Sequence, residues 1–351
     1  MKTLPRTVLP GVLAAMSAVA ALAPSASAAQ CPPVTPVQGE QPRQRIFPAD
    51  NWWNTDISYA PVDPDSAQYI DYINNGGKRT LHPEFGGTVR KGGVAVYGYP
   101  YAIVDATTPK LAVKMEYYDE SDGVNHKTGK PFAYYPIPPE AIAEPHWIEG
   151  GAAGNVDQRK KADRHMIILD CSNNGLYELY NVYYDMAKQQ WFAGSGAYWD
   201  MNTNDMRQEG WTSGEASGLQ MFPGMVRYDE AWNDDVAEIT HALRVTLRET
   251  NGHVYPATHT DATTRGALPF GARLRLKASV DGKDPALRSN DPHVRKIFRA
   301  MQHYGLIFSS VGTDMYISGM FDVRWDNGIL NPAFEKLSAS DFEVVQLGWK
   351  P

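Results

Sequence analysis

The sequence predicts a mainly β protein: an antiparallel β-sandwich or jelly-roll-like scaffold with long loops and a few peripheral helices. Three observations predict it. Short segments that alternate apolar and polar residues recur along the chain, as half-buried strands do. They outnumber the segments with helical periodicity. No strand–helix–strand rhythm is present, so a parallel doubly wound sheet is not expected.

The chain has 351 residues and begins with a segment that reads as a signal peptide, residues 1–28. Lys2 and Arg6 flank an Ala-rich apolar run, and Ala26-Ser27-Ala28 fits a small-residue cleavage site. A secreted or periplasmic protein is expected. No later run approaches the ~20 apolar residues of a membrane span. Residues 29–45 are rich in Pro and Gln and read as an extended lead-in, and residues 46–351 as one β-rich domain. The only cysteines, Cys31 and Cys171, suit one disulfide in an oxidising compartment. The formal net charge is −7, with no basic block, so a nucleic-acid partner is not expected.

Residues 66–74 read as a helix ended by Asn74-Asn75-Gly76-Gly77. Strands are expected within 94–104 and over 111–118, where Leu111, Val113, Met115 and Tyr117 alternate with polar residues. Residues 119–162 form a long irregular loop, the kind that carries function in a compact domain. Residues 163–200 then read as three antiparallel strands. With Asn174-Gly175 as the central pair of the hairpin turn, Leu169 faces Tyr180, Cys171 faces Glu178 and His165 faces Tyr184. That register sets His165 and Glu178 on the order of 20 Å apart.

A second long loop, 201–235, precedes a strand over 239–247. The alternation in 273–279 predicts a strand with one solvated, arginine-bearing face. Residues 292–304 form the clearest amphipathic helix, with Asp291 as N-cap and Gly305 as stop. Short strands are expected over 306–310, 315–318 and 341–347.

If the strands flanking the first long loop are neighbours, Asp119, Glu120, Asp122, Asp163, His165 and His241 share one rim. Paired carboxylates there suit general acid–base cleavage of a glycosidic bond, with Asp119, Glu120 and the more distant Glu178 as candidates. His165 or His241 as base, beside Arg164 or Arg244, suits elimination from a uronate instead. The bland alternatives are a solvated acidic turn and histidines that only satisfy backbone carbonyls. No HxH or HExxH spacing supports a catalytic metal, and no cofactor is expected. The oxygen-rich run 119–122 leaves a structural Ca²⁺ open, although it lacks the EF-hand pattern.

Nine Trp and nineteen Tyr, many in loops, suit stacking on sugar rings as well as closing a core. Trp211, Tyr228 and Arg244 are the expected substrate contacts. The sequence thus points to a carbohydrate-active enzyme acting on a polysaccharide, a glycoside hydrolase before a polysaccharide lyase. The alternative is a non-catalytic carbohydrate- or cell-wall-binding protein.

The segments LYELYN (176–181), AGSGAYWD (193–200), GWTSGEASGL (210–219), PGMVRYDE (223–230) and HALRVTL (241–247) form a set. It resembles a family of exported microbial proteins of unassigned function, from about residue 46 to the C-terminus. The resemblance implies export and no mechanism.

Overall fold

The computed structural model describes residues 46–88, 94–95 and 97–351, which belong to one compact unit. The signal segment, the lead-in and Cys31 lie outside the described residues, and so does the expected Cys31–Cys171 bridge.

The chain enters through helix α1 (Ser66–Asn74), which ends as expected at Asn75 in the left-handed conformation. Strands β1 (His82–Glu84), β2 (Gly87–Thr88), β3 (Val94–Ala95), β4 (Tyr101–Val104) and β5 (Val113–Met115) follow. Five strands occupy the stretch read as three: β6 (Met166–Asp170), β7 (Gly175–Tyr180), β8 (Tyr183–Asp185), β9 (Gln190–Ala193) and β10 (Ser195–Asp200). Helix α2 (Tyr228–Ala231), β11 (Leu243–Leu247), β12 (Arg273–Leu276), α3 (Pro292–His303), β13 (Leu306–Val311), β14 (Tyr316–Ser318), α4 (Asn327–Phe334) and β15 (Phe342–Val344) complete the order.

The strands form a six-stranded sheet β1-β14-β11-β13-β12-β15, a four-stranded sheet β10-β7-β6-β4, a three-stranded sheet β5-β9-β8 and the β2-β3 pair. The protein is mainly β, but its larger sheets are mixed rather than antiparallel. β1/β14, β11/β13, β4/β6 and β5/β9 run parallel. The reason lies in the connections. A parallel pair needs a long crossover, and the chain supplies one each time: the first long loop with β5 between β4 and β6, and β12 with α3 between β11 and β13.

The four-stranded sheet is buried on both faces. Ala102, Val104, Met166, Ile168, Tyr177 and Leu179 pack toward the three-stranded sheet. Tyr101, Ile103, Ile167, Leu169, Leu176 and Trp199 face the layer that holds Met221 and Phe222. On the six-stranded sheet, Leu243, Val245, Leu247, Phe308 and Ile317 meet α3 through Val294, Ile297, Phe298 and Met301. Burying each of those α3 side chains contributes roughly 1.5–3 kcal/mol. Asp291 caps the helix, accepting from His293 N at 2.8 Å and Val294 N at 3.1 Å.

The hairpin register differs from the expected one. Asp170 pairs with Gly175, Leu169 with Leu176 and Ile167 with Glu178. The loop is therefore Cys171–Ser172–Asn173–Asn174, four residues, and the Asp170 side chain shapes it. Asp170 Oδ1 accepts from Ser172 N and Asn173 N, and Oδ2 from Asn173 Nδ2. The new register sets Glu178 only two residues along the ladder from the position opposite His165, so the expected separation of about 20 Å does not hold.

The strand at residue 273 also differs. Its arginine face is not solvated, because residues 52–60 lie across it. Arg273 donates to Trp52 O. Arg275 donates to the carbonyls of Ile57 (2.5 Å), Ser58 (3.0 Å) and Ala60 (2.9 Å) and pairs with Glu343.

Asp170→Ala removes the acceptor for three donors in the turn. It is expected to cost about 1–2 kcal/mol in urea unfolding, with weakened protection of the Ser172 and Asn173 amides in hydrogen exchange. Unchanged stability and protection would show that the turn does not depend on that carboxylate.

Candidate functional site

A cleft of ≈ 420 Å³ opens where the two long loops meet the end of β13. Its lining includes Tyr117, Glu120, His165, Tyr180, Glu215 and His259. Asp163 and Asp261 also line it, and no Lys or Arg does among the described residues.

Glu120 closes the short helical turn Tyr118–Glu120 at the start of the first loop. Its Oε2 accepts from Thr212 N at 3.1 Å. Arg207 braces the same rim by donating to Glu120 O at 2.6 Å and Thr212 O at 2.9 Å and pairing with Asp122. His259 Nδ1 lies 2.6 Å from Ala216 O, so the proton is assigned to Nδ1 and Nε2 faces Glu120 Oε2 at 3.8 Å.

His165 sits just before β6, and Tyr180 lies across the hairpin with ring centroids 5.4 Å away. The other side of the imidazole meets Tyr99. Glu149, from the first loop, reaches back to His165. Its Oε2 is 2.5 Å from His165 Nδ1 and 3.1 Å from His165 N. Burial opposes the charge on both groups. The mutual attraction and hydrogen bonds win, holding His165 above its usual range and Glu149 below its own. The dyad leaves His165 Nε2 as the ring nitrogen without a carboxylate.

Behind the cleft lies Arg244, on β11 and 2% exposed. Its Nε and Nη2 both reach Glu215 Oε2 at 2.6 Å, its Nη1 reaches Ser318 Oγ at 2.5 Å, and its guanidinium lies 5.4 Å from the Tyr99 ring centroid. Glu215 is almost fully buried. Burial raises its pKa, and Arg244 offsets only part of that rise. Ser309 Oγ is buried beside Glu215 Oε1, and as a hydrogen-bonding neighbour it lowers the Glu215 pKa a little against the burial.

Glu178 lies one layer deeper and is fully buried. Its Oε1 accepts from Met221 N and Phe222 N at 2.9 and 2.8 Å. Burial pushes its pKa up to about 8 despite those donors, and Glu215 adds to the rise. The carboxyl therefore keeps its proton at neutral pH.

The structure brings together part of the expected rim. Glu120 and His165 line one cleft, although β5 and β6 belong to different sheets. Arg244 and Glu178 stand behind it. Trp211 is not among the lining residues and packs against His126 and under Arg207. Asp119 is exposed and does not line the cleft. Asp122, expected with Asp119 as a hard-cation ligand, accepts instead from Arg207 and from Tyr198 N. His241 is held elsewhere, between Ala242 O and the Glu230 carboxylate that also binds Arg227. Tyr228 packs in a separate aromatic cluster with Trp232 and Trp325, under Arg324. Arg164 is buried and spends its guanidinium on the carbonyls of Ala152, Ala153 and Val182.

Glu149, Glu215, His259 and Tyr180 escaped the sequence reading. The four-residue turn would have set Tyr180 opposite His165. Glu215 lies in the second long loop and Glu149 in the first, where no periodicity marks them. Among the described residues no cluster of three or more His, Cys, Asp or Glu side chains is arranged for a metal ion, and no helix is long and apolar enough to cross a membrane.

Compared with known proteins, the chain matches no family model, and no curated protein or solved structure shows significant similarity to it.

Glu178 makes stability depend on pH. An unfolded chain releases this proton near 4.5, the folded protein near 8. Between those values the folded state binds more protons, so stability falls as pH rises through the window and is level on either side. Gln keeps the acceptor and does not titrate. The stability of Glu178→Gln relative to wild type is expected to grow from about pH 5 to about pH 8 in urea unfolding. A difference independent of pH would contradict the buried neutral carboxyl.

Proposed function

We propose that the protein is a secreted carbohydrate-active hydrolase that cleaves a glycosidic bond of a polysaccharide, with Glu120 and Glu215 as the pair of carboxyl groups that act on it. The observation that carries this reading is the presence on one cleft of two carboxyl groups in opposite surroundings. Glu215 is enclosed and raised in pKa by burial, an effect that Arg244 and Ser309 offset only in part. Glu120 stands on the wall, partly exposed and held by a backbone N–H. Two carboxyl groups separated in this way are what acid-assisted glycoside cleavage requires. His259 stands beside Glu120, and Tyr117 offers an aromatic face in the lining.

The His165–Glu149 dyad beside Tyr180 favours a second reading, proton abstraction from a uronate with elimination. The lining weighs against it. A uronate carboxylate needs a cation or neutral donor facing it, and Arg244 is already engaged by Glu215 and Ser318. Four acids line the cleft instead. A neutral substrate suits that charge. A purely binding function is supported less well, since a binding strip of aromatics needs neither the enclosed acid nor the His165–Glu149 pair.

A screen of the mature protein against neutral plant, algal and microbial polysaccharides tests the reading. New reducing ends without absorbance from unsaturated uronates are expected. Glu120→Gln is expected to lower kcat by about 10²–10⁴ with folding retained, and Glu215→Gln to lower it as far while also costing stability by leaving Arg244 unpaired. Turnover that survives both substitutions, or products absorbing as unsaturated uronates, would overturn it.

A further inference from the structure

A second pocket of ≈ 340 Å³ lies at the β1 edge of the six-stranded sheet, lined by His82, Glu84, Tyr97, Tyr316, Asn327 and Asn331 among others. Its place relative to the cleft follows from the strand register. Ser310 pairs with Thr246, Thr246 with Tyr316, and Tyr316 with His82. Cross-strand partners project to the same face of a sheet. Ser310 lines the cleft, while Tyr316 and His82 line the second pocket. One row of residues therefore joins the two, with Ser310 and Tyr316 two strand spacings apart, about 10 Å. In the adjoining row Glu84 pairs with Ser318, the residue that meets Arg244 Nη1.

The chemistry of the second pocket suits a polyhydroxylated ring. His82 and Tyr316 stand with ring centroids 4.5 Å apart, and Tyr97 is largely exposed beside them. The Asn331 Oδ1 is buried without a hydrogen-bond partner, although a carboxamide oxygen out of water costs roughly 1–3 kcal/mol unless something donates to it. Glu84 supplies a carboxyl group, with burial raising its pKa against the pull of Arg244. No Lys or Arg lines this pocket among the described residues.

We propose that this pocket is a remote saccharide subsite, which binds a further part of the same neutral chain that occupies the cleft. The proposal rests on the carbohydrate reading of the cleft and extends it: the protein grips an internal segment of a linear polymer across the sheet face. Hydroxyl groups of the chain donate to Asn331 Oδ1 and Glu84, and a sugar face lies against Tyr97 and Tyr316.

The test is calorimetric titration of the Glu120→Gln protein, which holds a chain without cutting it. The probes are disaccharides and hexasaccharides of the cello-, xylo-, manno- and laminari-series. A hexasaccharide is expected to bind at least about tenfold more tightly than its disaccharide, about 1.4 kcal/mol. Adding Asn331→Ala, or Tyr97→Ala at an exposed position where folding is not at stake, is expected to remove most of that advantage. Disaccharide affinity should stay unchanged. A hexasaccharide advantage that persists in both variants overturns the remote subsite and leaves the cleft reading standing. Disaccharides and hexasaccharides that bind equally overturn it as well. If none of the saccharides binds, the carbohydrate reading of the cleft fails and the subsite fails with it.

Discussion

The rest of the molecule is arranged around one buried cation. Arg244 stands in the middle of the six-stranded sheet, where a guanidinium removed from water costs several kcal/mol unless charge and hydrogen bonds offset it. Burial works against its charge, and Glu215 and Glu149 together with Tyr99 overcome that, so Arg244 stays protonated. Glu215 comes from the second long loop, Glu149 from the first and Ser318 from β14. Each loop thus has a reason to fold back onto the sheet, and the cleft forms where they converge. The β11–β14 edge and the four-stranded sheet meet at this electrostatic seam rather than through apolar contact alone.

The seam also distributes protons. His165 is raised by Glu149 against its burial, Glu178 is pushed up to about 8, and Glu215 is raised by its enclosure. Groups whose environments drive them apart in this way supply both a donor and an acceptor at one pH. The acids on the cleft wall add a negative field. This is a consequence of where Arg244 sits: one layer behind the cleft, its charge already matched.

Parts of this were legible in the sequence. The two helices with one apolar face, α1 and α3, stood out because their caps, Asn75 and Asp291, are local chemistry. Glu120 and His165 were found because they flank the first long loop. What was missed depends on contacts far apart in the chain. The hairpin register is the exception: it turned on the Asp170 side chain capturing the amides two and three residues on, a local choice that an Asn-Gly signal does not disclose. The arginines of β12 look solvated by alternation, yet backbone carbonyls some two hundred residues earlier absorb them. Glu149 and Glu215 sit in irregular loops, where His165 holds the one and Arg244 the other. His241 alternates with the strand that follows it, but Glu230, from a nearby turn, holds it away from the cleft.

A double-mutant cycle on Arg244 and Glu215, read by urea unfolding, tests this central claim most directly. Arg244→Met alone strands a carboxyl group in the interior and is expected to cost about 3–5 kcal/mol, as breaking buried pairs does. Adding Glu215→Leu removes the stranded group, so the double variant should be more stable than Arg244→Met alone, with a coupling energy of at least about 2 kcal/mol. Additive losses, with the double variant the least stable, would show that the two residues do not act as a pair and that the cleft is not organised around them.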